Sequence, residues 1–335
     1  MSVSIIIPVY NAAWCIERTL HSVVSQTYSG QMECVIVDDC STDNSVALVR
    51  EFIEAYDGPI DFRIVELERH EGVSVARNEG IAHALNDYIL FVDADDVLDF
   101  RAVELLVARA AGHPGVDVVV GAYYLARQHQ FLRLDTGGIA YVAEPSEARA
   151  LWLSSRRIPM TAHNKLFRRA FINDNGLRFK PGIYHEDELW TFQCGAFISS
   201  LAVVFEPTYV YFVSAGSIMS TSNPKRLSDF EDVVQTEIST VEACPNLPQV
   251  KFAIGNFIDL DSHLHHSPEW QSNRQSVIRR LRDYIAQLST AAVKADSPLR
   301  QRLALRLIKL ELTLGLSPSS RLFWLVHRAA KMFSL

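Results

Sequence analysis

Between Ser2 and Tyr124, short apolar runs of strand character alternate with stretches of helical spacing. The spacing predicts strands at Ser2–Val9, Met32–Asp38, Phe62–Leu67, Tyr88–Asp93 and Val116–Tyr124. Helices are expected within Ala13–Gln26, Asn44–Tyr56, Val73–Leu85 and Phe100–Ala111. Parallel strands need long crossovers, and helices supply them while covering both faces of the sheet. The alternation therefore predicts an α/β fold, a mostly parallel Rossmann-like sheet flanked by helices. Ser41, Thr42 and Asp43 offer N-caps for the second helix, and Pro8 stands at a strand end, where a missing N–H does little harm.

Acids follow two of these strands. Asp38 and Asp39 end the run Cys34–Val37, and Asp93-Ala94-Asp95-Asp96 ends the run Tyr88–Val92, so both groups emerge at the C-terminal edge of the sheet. Open α/β sheets bind ligands at that edge. Carboxylates gathered there need a counter-charge, which a divalent cation carrying a diphosphate supplies, and a nucleotide sugar is the ligand class implied. Asp39 can accept an N–H from a nucleobase, with Tyr10 and Asn11 against the base. Capping of the next helix is the competing role for Asp38 and Asp39. Asp93 and Asp95 share a face if the strand continues; otherwise Asp95 and Asp96 are solvated acids opening the next helix.

At 335 residues and 48% hydrophobic content, the chain can bury a large core. A net charge of −7 argues against general nucleic-acid binding, yet Arg300–Leu335 holds seven basic residues against Glu311 alone, which points to an anionic surface as partner. Cys15, Cys34, Cys40, Cys194 and Cys244 are scattered without metal-ligand spacing, as in a reducing cytoplasm. Residues 3–9 read as a buried strand rather than a signal peptide, and no stretch is long enough to span a bilayer. From Gly121 to Ser214 the pattern loosens, with a Gly137-Gly138 turn, short helices near Glu147–Leu153 and Leu166–Asn173, and a strand at Val203–Val213. Beyond Pro224 helices are expected near Arg226–Thr240, Val250–Leu264, Trp270–Leu288, Leu299–Leu314 and Ser320–Phe333.

In order along the chain stand Ser4-Ile5-Ile6-Ile7-Pro8-Val9-Tyr10-Asn11, Val37-Asp38-Asp39-Cys40-Ser41-Thr42-Asp43, Gly72-Val73-Ser74-Val75-Ala76-Arg77-Asn78-Glu79-Gly80, Asp93-Ala94-Asp95 and Glu186-Asp187. Together these motifs resemble the inverting glycosyltransferases of family 2, over roughly residues 1–215. The resemblance implies a GT-A domain over 1–215, with a nucleotide-binding half at 1–120 and an acceptor-side half at 121–215, followed by a helical region at 216–335. It implies donor contacts from Pro8, Tyr10, Asn11, Asp39, Arg77, Asp93 and Ala94, and Mn²⁺ or Mg²⁺ on Asp95. Arg77 either pairs with the diphosphate or locks Asp93 in place. Asp187 is the implied base that deprotonates the acceptor hydroxyl, with Glu186 supporting it or acting as the base itself. Acids in a first turn also stabilise a helix without doing chemistry.

Here the chain carries His70 where the family often has Asn, and Val213–Ile218 lacks the Arg found after the last strand in many members. His163-Asn164-Lys165 resembles a family segment in which Lys165 faces phosphate, a solvated lysine being the alternative, and His185 either reaches a metal or forms a structural hydrogen bond. The implied activity is non-processive, hexosyltransferase-type transfer from a UDP-sugar to a glycan acceptor. That acceptor is expected to be lipid-linked, in capsule, O-antigen or lipooligosaccharide synthesis. The alternatives are a non-catalytic nucleotide-sugar platform and a nucleotidyltransferase, the latter lacking its basic Gly-rich loop. In the tail, Leu303, Leu307, Leu310 and Leu314 lie on one helical face beside Arg302, Arg306 and Lys309. Arg321, Trp324, Arg328 and Lys331 likewise adjoin Leu322, Leu325, Ala329 and Phe333. These helices either touch the cytoplasmic membrane peripherally or pack with their charges in water.

Overall fold

The computed structural model describes residues 1–154, 157–212, 224–314 and 321–334. Two compact units divide the chain, Met1–Thr221 and Ser222–Leu335. The boundary expected near residue 215 and the loop Val213–Ile218 lie outside the described residues.

In the first unit β1 (Val3–Val9), β2 (Met32–Asp38), β3 (Asp61–Glu66) and β4 (Tyr88–Phe91) pair in parallel in the order β3-β2-β1-β4. The helices α1 (Ile16–Val24), α2 (Ser45–Ala55) and α3 (Val73–His83) connect them. Val3, Ile5, Ile6 and Ile7 are fully buried, which explains why β1 reads as an unbroken apolar run rather than an alternation. Pairing of β1 with β4 stops at Ile6, so Pro8 lies beyond that ladder. Beyond β4 come β5 (Val97–Leu98), α4 (Ala102–Ala111), β6 (Val118–Leu125), β7 (Gln130–Leu132), β8 (Tyr141–Val142) and α5 (Pro145–Trp152). The unit continues with β9 (Lys165–Arg168), α6 (Arg169–Asp174), α7 (Glu186–Phe197) and β10 (Leu201–Tyr211).

Two expectations are corrected here. Helix was expected across Leu166–Asn173, but only Arg169–Asp174 is helical; Lys165–Arg168 forms β9, antiparallel between β4 and β6. Four residues are too few for helical and strand periods to differ, and insertion between two strands, with Leu166 and Phe167 fully buried, decides the outcome. Strand β4 ends at Phe91, and Ala94 and Asp95 form a turn, so the alternation that would align Asp93 with Asp95 is broken.

The second unit holds α8 (Pro224–Ala243), α9 (Leu247–His265), α10 (Pro268–Lys294), α11 (Leu299–Leu314) and α12 (Arg321–Ser334). Asn246 caps α9 and Ser267 caps α10, each side chain accepting a backbone N–H, with Pro opening the helix. Along α11 the buried face is Ala304, Leu305, Ile308, Glu311 and Leu312, while Leu310 is exposed; the side chain of Leu314 lies outside the described residues. The Leu303–Leu307–Leu310 face lies outward of it, with Leu303 and Leu307 half-buried, because the packing face is centred one residue on. On α12, Phe323, His327 and Ala330 point inward, leaving Leu322, Trp324, Leu325 and Met332 exposed. Among the described residues no helix is long and apolar enough to cross a membrane.

Close approach of α3 to β1 depends on Gly80, where an added Cβ would stand 2.3 Å from Ile6 Cγ2. Gly80→Ala should therefore destabilise the fold by about 1–3 kcal/mol through overpacking. Urea unfolding of the variant against the parent checks this.

Candidate active site

The C-terminal edge of β1, β2 and β4 gathers most of the sequence-predicted residues, and Arg77 on α3 ties them together. Its guanidinium is buried and donates from Nη1 to Asp187 Oδ1 at 2.9 Å and to Glu186 Oε1 at 3.2 Å, and from Nη2 to Asp93 Oδ1 at 3.1 Å. Thus α3, the loop after β4 and the first turn of α7 meet on one cation. Burial works against its charge, but Asp187, Asp93 and Glu186 outweigh that cost and hold Arg77 firmly protonated. Of the two roles open to Arg77, the observed contacts are those of a lock on the acids.

Asp187 stands in a different electrostatic state from Asp93. Burial pushes its carboxyl up to about 6, with Arg77 opposing and the charges of Glu186 and Asp93 adding to the rise. Asp93 is held below the ordinary carboxylate range, because Arg77 and His163 overcome its burial. His185 precedes these acids in the left-handed region, φ +63°, with Nδ1 3.1 Å from Glu188 Oε2. The core side of α7 is fixed by Trp190, stacked on Phe179 with centroids 4.0 Å apart.

A second cluster adjoins Asp93. Ligand atoms of Asp93, Asp96 and His163 lie within 4.8 Å of one another. Asp96 Oδ1 accepts from the Phe212 N–H, while Oδ2 is buried without a hydrogen-bond partner, as is His163 Nδ1. Burial, then the charge of Asp93, pushes Asp96 up to about 8, and burial pushes His163 down to about 4, leaving a neutral imidazole. A carboxyl without a positive partner beside a neutral imidazole suits a divalent cation, which would favour its ionised form, by the chemistry of its donors. Asp95 is not a member of this group; its carbonyl accepts from Arg18 Nη2 at 2.7 Å, and the Ala94 carbonyl accepts from Thr19 Oγ1 at 2.7 Å.

On the other side of the edge, Tyr10 is exposed and stacks on His70 with centroids 3.9 Å apart. Asp39 accepts from the N–H groups of Glu71 at 2.7 Å and Gly72 at 2.8 Å, with His70 Nδ1 2.9 Å away. Gly72 takes φ +91°, which favours glycine at the start of α3. Asn11, at φ +50°, accepts through Oδ1 from the Thr42 and Asp43 N–H groups and so fastens the loop after β2. Lys165 is neither solvated nor at the edge surface: it is fully buried, Nζ donating to the Thr161 carbonyl at 2.5 Å, and burial pushes it down to about 7.

Sequence reasoning assigned no site role to Asp96 or His163. Asp96 lay in the acidic cluster but looked like a helix-opening acid, and nothing local joins His163 to Asp93, which is reached only when β9 inserts beside β4.

With this geometry in place, residues 4–176 match the sequence profile of Glycosyl transferase family 2, and the chain belongs to that family. It is 32% identical over 193 residues to the uncharacterised glycosyltransferase YibD of Escherichia coli K12, covering 56% of this chain and 54% of that protein. Identity of 27% over 224 residues, 66% of this chain and 65% of the relative, links it to the poly(ribitol-phosphate) β-N-acetylglucosaminyltransferase TarP of Staphylococcus aureus N315. Among solved structures, residues 1–349 of S. aureus TarS in complex with UDP-GlcNAc superpose with a TM-score of 0.72 at 18% identity, covering 100% of this chain and 90% of that one. The chain spans about half the length of YibD.

Arg77→Met should lower stability by about 3–5 kcal/mol at neutral pH, because three part-buried carboxylates lose their shared cation. The depressed carboxyl of Asp93 contributes stability that is lost as pH falls, so the deficit should shrink under acid conditions. Urea midpoints of parent and variant at two pH values, one acidic and one neutral, measure both effects.

Proposed function

We propose that this protein is an inverting, non-processive glycosyltransferase that moves one sugar from a UDP-sugar to a hydroxyl of a glycan acceptor. The observation that carries the reading is Asp187, an acid raised to about 6 at the ligand-binding edge of a family 2 fold and oriented by Arg77. A base of that strength is ionised at neutral pH yet retains proton affinity. In the proposed step the acceptor oxygen attacks the anomeric carbon from the face opposite the diphosphate. The new C–O bond forms as the bond to the diphosphate breaks, and the hydroxyl proton passes to Asp187. Glu186, also bound to Arg77, supports this geometry or serves as the base itself.

The edge residues divide the donor between them. Tyr10 on His70 presents an aromatic face on which a uracil ring can stack, and the Asp39 oxygens keep lone pairs beyond their backbone bonds to accept its imide N–H. Pro8 and Asn11 shape the floor and rim of that end, and Ala94 belongs to the turn nearest the sugar. The donor set favours Asp93, Asp96 and His163 as holders of Mn²⁺ or Mg²⁺, with Asp95 in the adjoining turn. When bound, such a cation offsets the charge of the departing nucleoside diphosphate.

We assign residues 1–120 to the nucleotide, 121–215 to the acceptor side and 216–335 to the helical region, and place the enzyme in bacterial surface-polysaccharide synthesis on a lipid-linked acceptor. TarS was crystallised with UDP-GlcNAc, and TarP is named for transfer to poly(ribitol phosphate), which favours a UDP-sugar and a glycan-type acceptor. A peripheral position at the cytoplasmic membrane is favoured by α12, whose exposed Leu322, Trp324, Leu325 and Met332 accompany Arg328.

UDP release from a panel of UDP-sugars with Mn²⁺, with and without acceptor, tests the class. Asp187→Asn should cut turnover about 10²–10⁴-fold while donor binding persists, and undiminished turnover would refute the base assignment. Because the raised carboxyl must be ionised to act, kcat/KM should rise with pH through about 6; a flat profile there argues against Asp187. The membrane assignment predicts that Trp324→Ser with Arg328→Glu reduces sedimentation with anionic liposomes, and equal sedimentation removes it.

A further inference from the structure

In the helical unit α9, α11 and α12 bring four ionisable side chains into one buried cluster. Asp261 and Glu311 are 0% exposed, His265 is 3% and His327 is 6%. Asp261 and His265 stand four residues apart on one face of α9, Glu311 comes from the buried face of α11, and His327 from the inward face of α12. His327 Nε2 lies 2.7 Å from Asp261 Oδ2 and its Nδ1 3.1 Å from Glu311 Oε2. His265 Nε2 lies 3.2 Å from Glu311 Oε1. Despite these separations, both oxygens of each carboxylate, both nitrogens of His327 and His265 Nε2 lack an aligned hydrogen bond.

We propose that Asp261, His265, Glu311 and His327 form a structural binding site for a divalent transition-metal ion, with Zn²⁺ the best match. The tautomer of His265 is the first reason. Its Nδ1 faces the Asp261 main-chain carbonyl at 2.8 Å; a carbonyl only accepts, so Nδ1 carries the hydrogen and neutral His265 turns the Nε2 lone pair toward Glu311. A lone pair facing a carboxylate at 3.2 Å needs something positive between them. An imidazole fixed through Nδ1 to a carbonyl is also the usual arrangement of a metal-bound histidine.

Charge and shape give the second and third reasons. Without a metal, Asp261 and Glu311 hold a proton on His327; once that proton is displaced, two carboxylates and two neutral imidazoles sum to −2, which a dication cancels, whereas charges left uncompensated inside a helical bundle are costly. Ligand atoms of Asp261, Glu311 and His327 lie within 4.8 Å of one another, and tetrahedral Zn²⁺ with ligands at about 2.0–2.2 Å requires separations of roughly 3.4 Å. Mixed imidazole and carboxylate donors suit Zn²⁺ better than Mg²⁺ or Ca²⁺, which favour oxygen alone. Three separate helices would be pinned by one ion, in a part of the chain without disulfides among the described residues.

The rival occupant is a shared proton, and metal analysis separates the two. The full chain, purified without chelator or affinity metal and dialysed, should retain close to one zinc per chain by inductively coupled plasma mass spectrometry. Stripping with dipicolinate should lower the unfolding midpoint by roughly 5–10 °C, and added Zn²⁺ should restore it. Asp93→Asn with Asp96→Asn should keep the zinc, which excludes the edge cluster as its source. Glu311→Gln should lose it, and should the variant fail to fold, Co²⁺ added to the stripped parent should give the visible absorption of a tetrahedral site. A stripped chain whose midpoint responds to pH but not to Zn²⁺, and which gives no such Co²⁺ spectrum, overturns the proposal in favour of the proton.

Discussion

One buried guanidinium organises the first unit. Arg77 contacts acids from two segments distant in sequence, Asp93 after β4 and Glu186 and Asp187 at the head of α7, so the edge is assembled only when all have folded around it. A lysine would not serve, since only a planar fork can address three carboxylates in fixed directions. The interaction also explains why acids at this density do not repel the edge apart. Removing either side of it leaves charge buried without a partner, which costs more than the pairing itself contributes.

The same arrangement divides the acids by task. Asp93, facing both Arg77 and His163, is held below the ordinary carboxylate range, while burial and like charge raise Asp187 and Asp96. The proposed transfer to a hydroxyl calls for such unequal acids, one held charged and another able to take a proton. Composition cannot encode that difference, because all are aspartates within a short, acid-rich pair of segments.

Much of the first unit was legible in the sequence because its signals are local. The strands β1, β2 and β4 are apolar runs buried over almost their whole length, and each acid pair stands where such a run stops. What escaped was non-local. Lys165–Arg168 has no period of its own, and its role as β9 comes from filling the gap between β4 and β6. Membership of His163 in the edge cluster follows from that insertion, so one unreadable strand hid one member of the cluster. In the second unit, the leucines Leu303, Leu307 and Leu310 of α11 share a face, but burial falls on the adjoining one, with Leu305, Ile308, Glu311 and Leu312. A buried glutamate is invisible to a hydrophobic-period argument, which scores it as solvent-facing.

Glu311 and Arg77 illustrate two solutions to one constraint, that a carboxylate taken out of water needs a positive partner. Around Arg77 the partner is covalently part of the chain and charged at every accessible pH, so the acids it holds are fixed for the life of the fold. Around Asp261 and Glu311 the partners are imidazoles, whose charge is conditional: burial lowers His265, while the two carboxylates raise His327 to about 9 despite its burial. Such a cluster is neutral only with protons added to it or a cation among its members. A permanent cation suits a site whose geometry must not vary during turnover, whereas conditional ones leave room for an exchangeable ion. That difference in partner, rather than the number of acids, distinguishes the two clusters chemically.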